Sequence, residues 1–160
     1  DLELGDFTAE HTTAFRNINC EWLEEELEIT LHDRQLLDHP RSEILDRGGR
    51  IFMLLLQGTP IGTCVLMPLA EGIAELSKYA ILHSQRGLGL GGMLLKRVVA
   101  EASSMGYSEI LLLSHPLLKR ATRLYRGFGF RELPSHPLLP DPTGRQSITM
   151  QLMLNDREKS

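Results

Sequence analysis

The run Gln85-Arg86-Gly87-Leu88-Gly89-Leu90-Gly91-Gly92-Met93-Leu94-Leu95 carries the clearest chemical signal in this 160-residue chain. Four glycines fall between Gly87 and Gly92, and an apolar, helix-like pattern follows at once. Backbone this rich in glycine can fold tightly and aim several N–H groups into one concavity. A helix start adds unpaired N–H groups and the positive end of its dipole. The run is a candidate socket for a phosphate group, set against a tight turn that holds nothing. Gly87, Gly89 and Gly92 fit the dinucleotide fingerprint G-x-G-x-x-G,. That fingerprint wants an acidic residue about twenty positions on, where this chain has Leu111, Leu112, Leu113 and Ser114. The P-loop needs Lys-Ser or Lys-Thr after its glycines, and neither follows here.

The elements around the run are those of a mixed sheet. Leu2 to Phe7 reads as a short strand, Thr8 to Glu26 as an amphipathic helix, and His32 to Leu37 as a second helical piece ending before Pro40,. Arg50 to Gln57 is a buried strand, and Ile61 to Met67 returns as its hairpin partner,. A strand from Gly72 to Leu82 precedes the glycine run, and a helix from Gly89 to Met105 follows it. Glu109 to Leu113 is a strand, Leu117 to Arg126 a helix, and Gly127-Phe128-Gly129-Phe130 turns into a further strand. After a proline-rich loop, Pro134 to Gly144, alternation from Ile148 to Leu154 marks a last strand. The order β-α-α-β-β-β-α-β-α-β-β implies an α/β (α+β-like) fold. Its twisted central sheet is mixed and largely antiparallel, with flanking helices and one parallel β-α-β unit at the glycine run. Length and composition (42% hydrophobic, 24% charged) suit one globular domain, residues 1–160,. A net charge of −4 argues against a nucleic-acid partner,. No apolar run of membrane-spanning length and no secretory signal pattern is present,. Two cysteines, Cys20 and Cys64, read as reduced core residues, so the expected location is cytoplasmic,. The histidines form no helical H-x-x-x-H pair, so no metal is assigned,.

Three motifs in order resemble the GNAT superfamily of N-acetyltransferases. Arg86, Gly89 and Gly91 match its Arg/Gln-x-x-Gly-x-Gly/Ala signature at a strand–helix junction. The strand Glu75-Leu76-Ser77-Lys78-Tyr79-Ala80-Ile81 looks like the family's E-L-x-K-M-A-V strand. Ala121 to Phe130 looks like its A-x-x-L-Y-x-x-x-G-F segment. The resemblance covers Arg50 to Leu154 well and the first fifty residues only in helix order.

The resemblance implies an enzyme that moves an acetyl group from acetyl-CoA to a primary amine by direct attack in a ternary complex. The alternative is a non-catalytic acyl-CoA-binding sensor or regulatory module. By resemblance, Arg86, Gly87, Leu88, Gly89, Leu90, Gly91 and Gly92 hold the coenzyme A pyrophosphate. The glycines would allow close approach of the phosphates. The main chain of Ala80 and Ile81 pairs with the pantetheine arm where two strands splay. Tyr125 faces the sulfur as general acid, against the plainer reading of a tyrosine packed beside Phe128 and Phe130. Glu75 stands at the place of the general base in some members, against an ion pair with Lys78 or a solvent-facing strand residue. The chain departs from the family where Ser114-His115-Pro116 replaces a Ser-Asn pair, leaving His115 as a hydrogen-bonding or solvated loop residue. The acidic run Glu21, Glu24, Glu25, Glu26 and Glu28 is a solvated helix face or an acidic rim for a cationic acceptor,. The expected acceptor is a small-molecule or peptide amine, with no nucleic acid and no membrane. The apolar last strand could support a homodimer.

Overall fold

The structure, a computed structural model, describes residues 1–26, 30–141 and 147–154. Strand β1 (Leu2–Asp6) leads through a 3-10 turn at Ala9–His11 into helix α1 (Thr12–Glu26). Helix α2 (Leu31–Asp38) starts on a capping box. The Asp33 amide donates to Thr30 Oγ1 at 3.1 Å, and the Thr30 amide donates to Asp33 Oδ2 at 3.0 Å,. The proline that was expected to end this segment also opens a one-turn helix, α3 (Pro40–Glu43). A first-turn proline loses no hydrogen bond, because its N–H would be unpaired anyway. Three strands then meander: β2 (Arg50–Leu56), β3 (Thr59–Ala70) and β4 (Ile73–Ile81). Helix α4 (Leu90–Ser104), strand β5 (Glu109–Ser114), helix α5 (Lys119–Phe128) and strands β6 (Arg131–Leu133) and β7 (Ile148–Met153) complete the order.

The sheet runs β1-β2-β3-β4-β5-β7-β6. Every pairing is antiparallel except β4 with β5, which are parallel because α4 carries the chain back between them,. This is the mixed, largely antiparallel sheet expected. The last strand, β7, inserts between β5 and β6. Among the described residues no helix is long and apolar enough to cross a membrane.

Helices cover both faces of the sheet. Strand β2 shows why it reads as a continuous apolar run. Ile51 and Met53 join Phe15 and Ile18 of α1 and Leu37 of α2 in one core. Phe52 and Leu54 join Leu94, Leu95, Val98 and Val99 of α4 in the other. A strand buried on both faces has no polar side to display. Cys64 is fully buried in the α4-side core and Cys20 only half-buried beside the other, and neither forms a disulfide.

Leu94 is fully buried where α4 meets the sheet. Leu94→Ala should lower stability to urea by about 2–5 kcal/mol, with secondary structure retained in far-UV circular dichroism.

Candidate functional site

The site begins with a break in the sheet. Strand β4 pairs with β5 only from Ile73 to Glu75, opposite Glu109 to Leu111. Beyond Glu75 the two strands diverge, and the β5-facing edge of β4 has no partner strand among the described residues. The opposite edge of β4 shows the cause. Val65 pairs with Ser77 but Thr63 with Ala80, so Lys78 and Tyr79 together face the single residue Cys64. This is a β-bulge, which bends and twists its strand. Lys78 takes φ +51°, a left-handed conformation rare for a long side chain,.

The bulge also resets which way side chains point. Before it, Ala74 and Leu76 face the α4-side core; after it, Tyr79 and Ile81 do, while Ala80 joins the α1-side core. Glu75 is displaced from the α4 side by the alternation, and Lys78 reaches Asp33 of α2, so both serve the α2 side,. Tyr79 reaches the α4 side and stands beside Tyr125 of α5, ring centroids 5.8 Å apart.

Two cavities flank the opened edge. The first, about 620 Å³, is walled by Ile81, Arg86, Gly87, Gly89, Leu90, Gly91, Gly92 and Arg120. Gly87 and Gly89 have φ of +81° and +75°, which glycine alone adopts without strain,. Gly89 is the N-cap of α4 and brings no side chain to its first-turn amides,. The Arg86 guanidinium lies 4.6 Å from the centre of the Trp22 ring and 3.2 Å from His83 Nδ1. The His83 amide donates to the Glu21 carboxylate, tying α1 to the turn before the glycines. Glu21 is thereby engaged in a structural contact; Glu28 and the side chains of Glu24, Glu25 and Glu26 lie outside the described residues.

The second cavity, about 360 Å³, collects Glu75, Lys78, Tyr125, His32, Asp33, His115 and Asp141. Trp22, Tyr79 and Ala121 line both cavities, so the two meet at one wall. Burial raises the carboxyl of Glu75 above the ordinary glutamate range, and the Lys78 charge pulls partly the other way,. Lys78 is not an ion-pair partner of Glu75; its Nζ donates to Asp33 Oδ1 at 2.9 Å. Burial, then proximity to Tyr79 and Cys64, lifts the Tyr125 phenol well above its usual value. Burial lifts the Tyr79 phenol as well. Both hydroxyls therefore keep their protons. Tyr125 packs at 5.7 Å against Phe130 and also lines the smaller cavity. His115 Nδ1 accepts the Leu117 amide at 3.0 Å, fixing its loop while the ring borders the cavity.

The expected residues thus gather in two groups. Ile81, Arg86, Gly87, Gly89, Leu90, Gly91 and Gly92 surround one cavity; Glu75 and Tyr125 border the other. Leu88 is exposed and Ala80 fully buried, and neither side chain lines a cavity. The reason for one glycine differs from the expectation. A Cβ on Gly91 would collide with Tyr79 Oη, so this position makes room for a phenol. Trp22 and Asp33 lie outside the three motifs, while Tyr79 and Lys78 entered only as residues of the strand motif, without a role of their own at the site. For Asp33, its place three residues after the capping Thr30 was the available signal,.

Residues 12–130 match the model of the Acetyltransferase (GNAT) family. An uncharacterized N-acetyltransferase of Schizosaccharomyces pombe is 33% identical over 75 residues, 46% of this chain and 46% of that protein. The chain spans about half the length of the curated relatives it matches. A GNAT-family acetyltransferase from Staphylococcus aureus Mu50 superposes with a TM-score of 0.84 at 18% identity, covering 97% of this chain and 100% of that one. Spermidine N-acetyltransferase from Vibrio cholerae, in complex with CoA and spermine, superposes with a TM-score of 0.69 at 21% identity, covering 96% and 95%.

Gly91→Ala should force Tyr79 aside, costing about 1–3 kcal/mol of stability. Adding Tyr79→Phe removes the colliding oxygen and should restore most of the loss. Thermal melts of the two single variants and the double variant measure this coupling.

Proposed function

The chain belongs to the Acetyltransferase (GNAT) family, and on that footing we propose that it transfers an acetyl group from acetyl-CoA to a small primary amine. The observation that carries the reading is the opened edge of β4, with the glycine-loop cavity and the Glu75–Tyr125 cavity meeting at Trp22, Tyr79 and Ala121. A strand edge with free main-chain groups suits an extended pantetheine arm. A glycine-walled cavity at the start of α4 suits a pyrophosphate. The V. cholerae neighbour bound to CoA and spermine supports both the cosubstrate and an amine acceptor.

On this reading the amides from Gly87 to Gly92 hold the pyrophosphate, and Arg86 contributes positive charge beside it. Main-chain groups of Ala80 and Ile81 pair with the arm. An N–H there takes up the charge that develops on the thioester oxygen. The amine approaches from the smaller cavity, where the carboxylates Glu75, Asp33 and Asp141 outnumber the Lys78 ammonium and favour a cationic acceptor,. A raised carboxyl pKa makes Glu75 a better proton acceptor than an exposed glutamate, directly or through one water,. As the C–N bond forms, the C–S bond breaks and Tyr125 donates to the departing sulfur. The burial that lifts the phenol also lifts a thiolate formed beside it, so the proton moves between groups whose affinities rise together,. Residues 1–160 act here as one catalytic unit. The compartment is reducing, such as the cytoplasm, where Cys20 and Cys64 stay reduced,.

Amine-dependent release of free thiol from acetyl-CoA tests the reading across an amine panel. Binding without release would leave only the sensor function. Tyr125→Phe should lower kcat by about 100-fold while leaving CoA affinity unchanged. The wild-type kcat should fall as pH drops through the Glu75 pKa. That limb should lie above the ordinary glutamate value of 4.5, because burial raises it. Glu75→Gln should remove the limb.

A further inference from the structure

Lys78 occupies a costly position. It adopts φ +51° at the bulge, where glycine or asparagine would be less strained,. Its ammonium is largely buried, with 13% of the side chain exposed. Its counter-charge comes from another element: Asp33 of α2, 3% exposed, at 2.9 Å. One carboxylate oxygen of Asp33 meets Lys78 and the other accepts the Thr30 amide, so the carboxylate is aimed from both sides. A buried ammonium is tolerated only with such a partner. Strain and desolvation together mark this lysine as held for something its neighbours do.

What it faces is the smaller cavity. The bulge brings Lys78 to the α2 side of the sheet, the side that the alternation of β4 also gives Glu75. The groups that border this cavity with Glu75 are Lys78 and Tyr79 from β4, His32 and Asp33 from α2, His115 after β5, Tyr125 from α5, and Asp141. Lys78 is the one lysine among them, and no arginine borders the cavity among the described residues.

We propose that Asp33 and Lys78 are positioning residues for the acceptor half of the cleft: Asp33 fixes the Lys78 ammonium at the bulge, and Lys78 presents its charge to the Glu75 carboxylate. The pair spans α2 and β4, so it also ties the helix bordering the acceptor cavity to the strand whose edge is open. The charge effect has a definite sign. An ammonium facing a carboxylate favours its ionised form, opposing the upward push of burial,. Glu75 therefore accepts a proton over a wider pH range than burial alone would permit. This rests on the reading of Glu75 as base, and the experiment separates the two.

The measurement is the pH dependence of kcat at saturating acetyl-CoA and the fastest amine of a panel. CoA titration checks that each variant keeps its glycine-loop site. Lys78→Met should move the acidic limb up by about one pH unit. Lys78→Gly should move it equally, and it suits the left-handed backbone should the methionine variant not fold. Lys78→Arg keeps the charge and should leave the limb in place. Asp33→Asn keeps an acceptor for the Thr30 amide but frees Lys78. It should lower kcat/KM for the amine by about 10- to 100-fold with CoA affinity unchanged. Loss of the limb in Glu75→Gln, with no movement in Lys78→Met or Lys78→Gly, would overturn the positioning proposal alone. Persistence of the limb in Glu75→Gln would overturn the base reading and the proposal with it. Wild-type kcat/KM in Asp33→Asn would show that the pair only supports packing.

Discussion

Two residues of β4 opposite one of β3 make a small defect on which much of the cleft depends. Strand pairing normally runs to the end of a strand, because each skipped residue leaves main-chain groups unpaired. Here the bulge bends β4 away from β5 after three paired positions, and an edge opens in the middle of a seven-stranded sheet. The same extra residue shifts the alternation of side chains. Tyr79 turns toward α4 and α5, while Lys78 turns toward α2. Regular pairing here would close the edge and send these two side chains to the wrong layers.

Burial then determines the electrostatic character of the cleft. Tyr79 and Tyr125 stack edge to face and exclude water from one another, so both phenols stay neutral. Trp22 extends this aromatic wall, its ring centroid 5.8 Å from that of Tyr79, and the Arg86 guanidinium lies over its ring. The wall is apolar in bulk and polar at its tips, a composition that keeps a cleft dry while leaving hydroxyls to donate. Glu75 sits on the α2 side of this wall, beside the Asp33–Lys78 ion pair, which is largely buried on both partners.

Much of this was legible in the chain because it is written locally. The glycine run, the E-L-x-K strand before it and the segment ending in Gly-Phe are each contiguous, and their order implies the parallel unit and the mixed sheet. The alternation from Ile148 onward marked β7 as a strand but not its place between β5 and β6, since a pattern of faces does not name neighbours. The bulge was not legible either. Nothing in Ser77-Lys78-Tyr79-Ala80 breaks an ordinary strand pattern, and the extra residue shows only against the register of β3. Asp33 and Lys78 lie 45 residues apart, so their pairing is a product of tertiary packing. The demand on Gly91 is of the same kind, since it comes from a tyrosine on a different element.

The walls of the two cavities are made of different material. The larger takes part of its border from four glycines at a helix start, which present backbone, whereas the smaller has no glycine in its border and is lined by side chains from α1, α2, β4, α5 and the loops near Leu138. Backbone amides do not change identity when a codon changes, but side chains do. A lineage carrying this architecture can therefore exchange the smaller wall residue by residue while the glycine-lined part of the larger one keeps its shape. Descendants of one ancestral chain would differ in what enters from the α2 side long before they differ in what lies along the glycines.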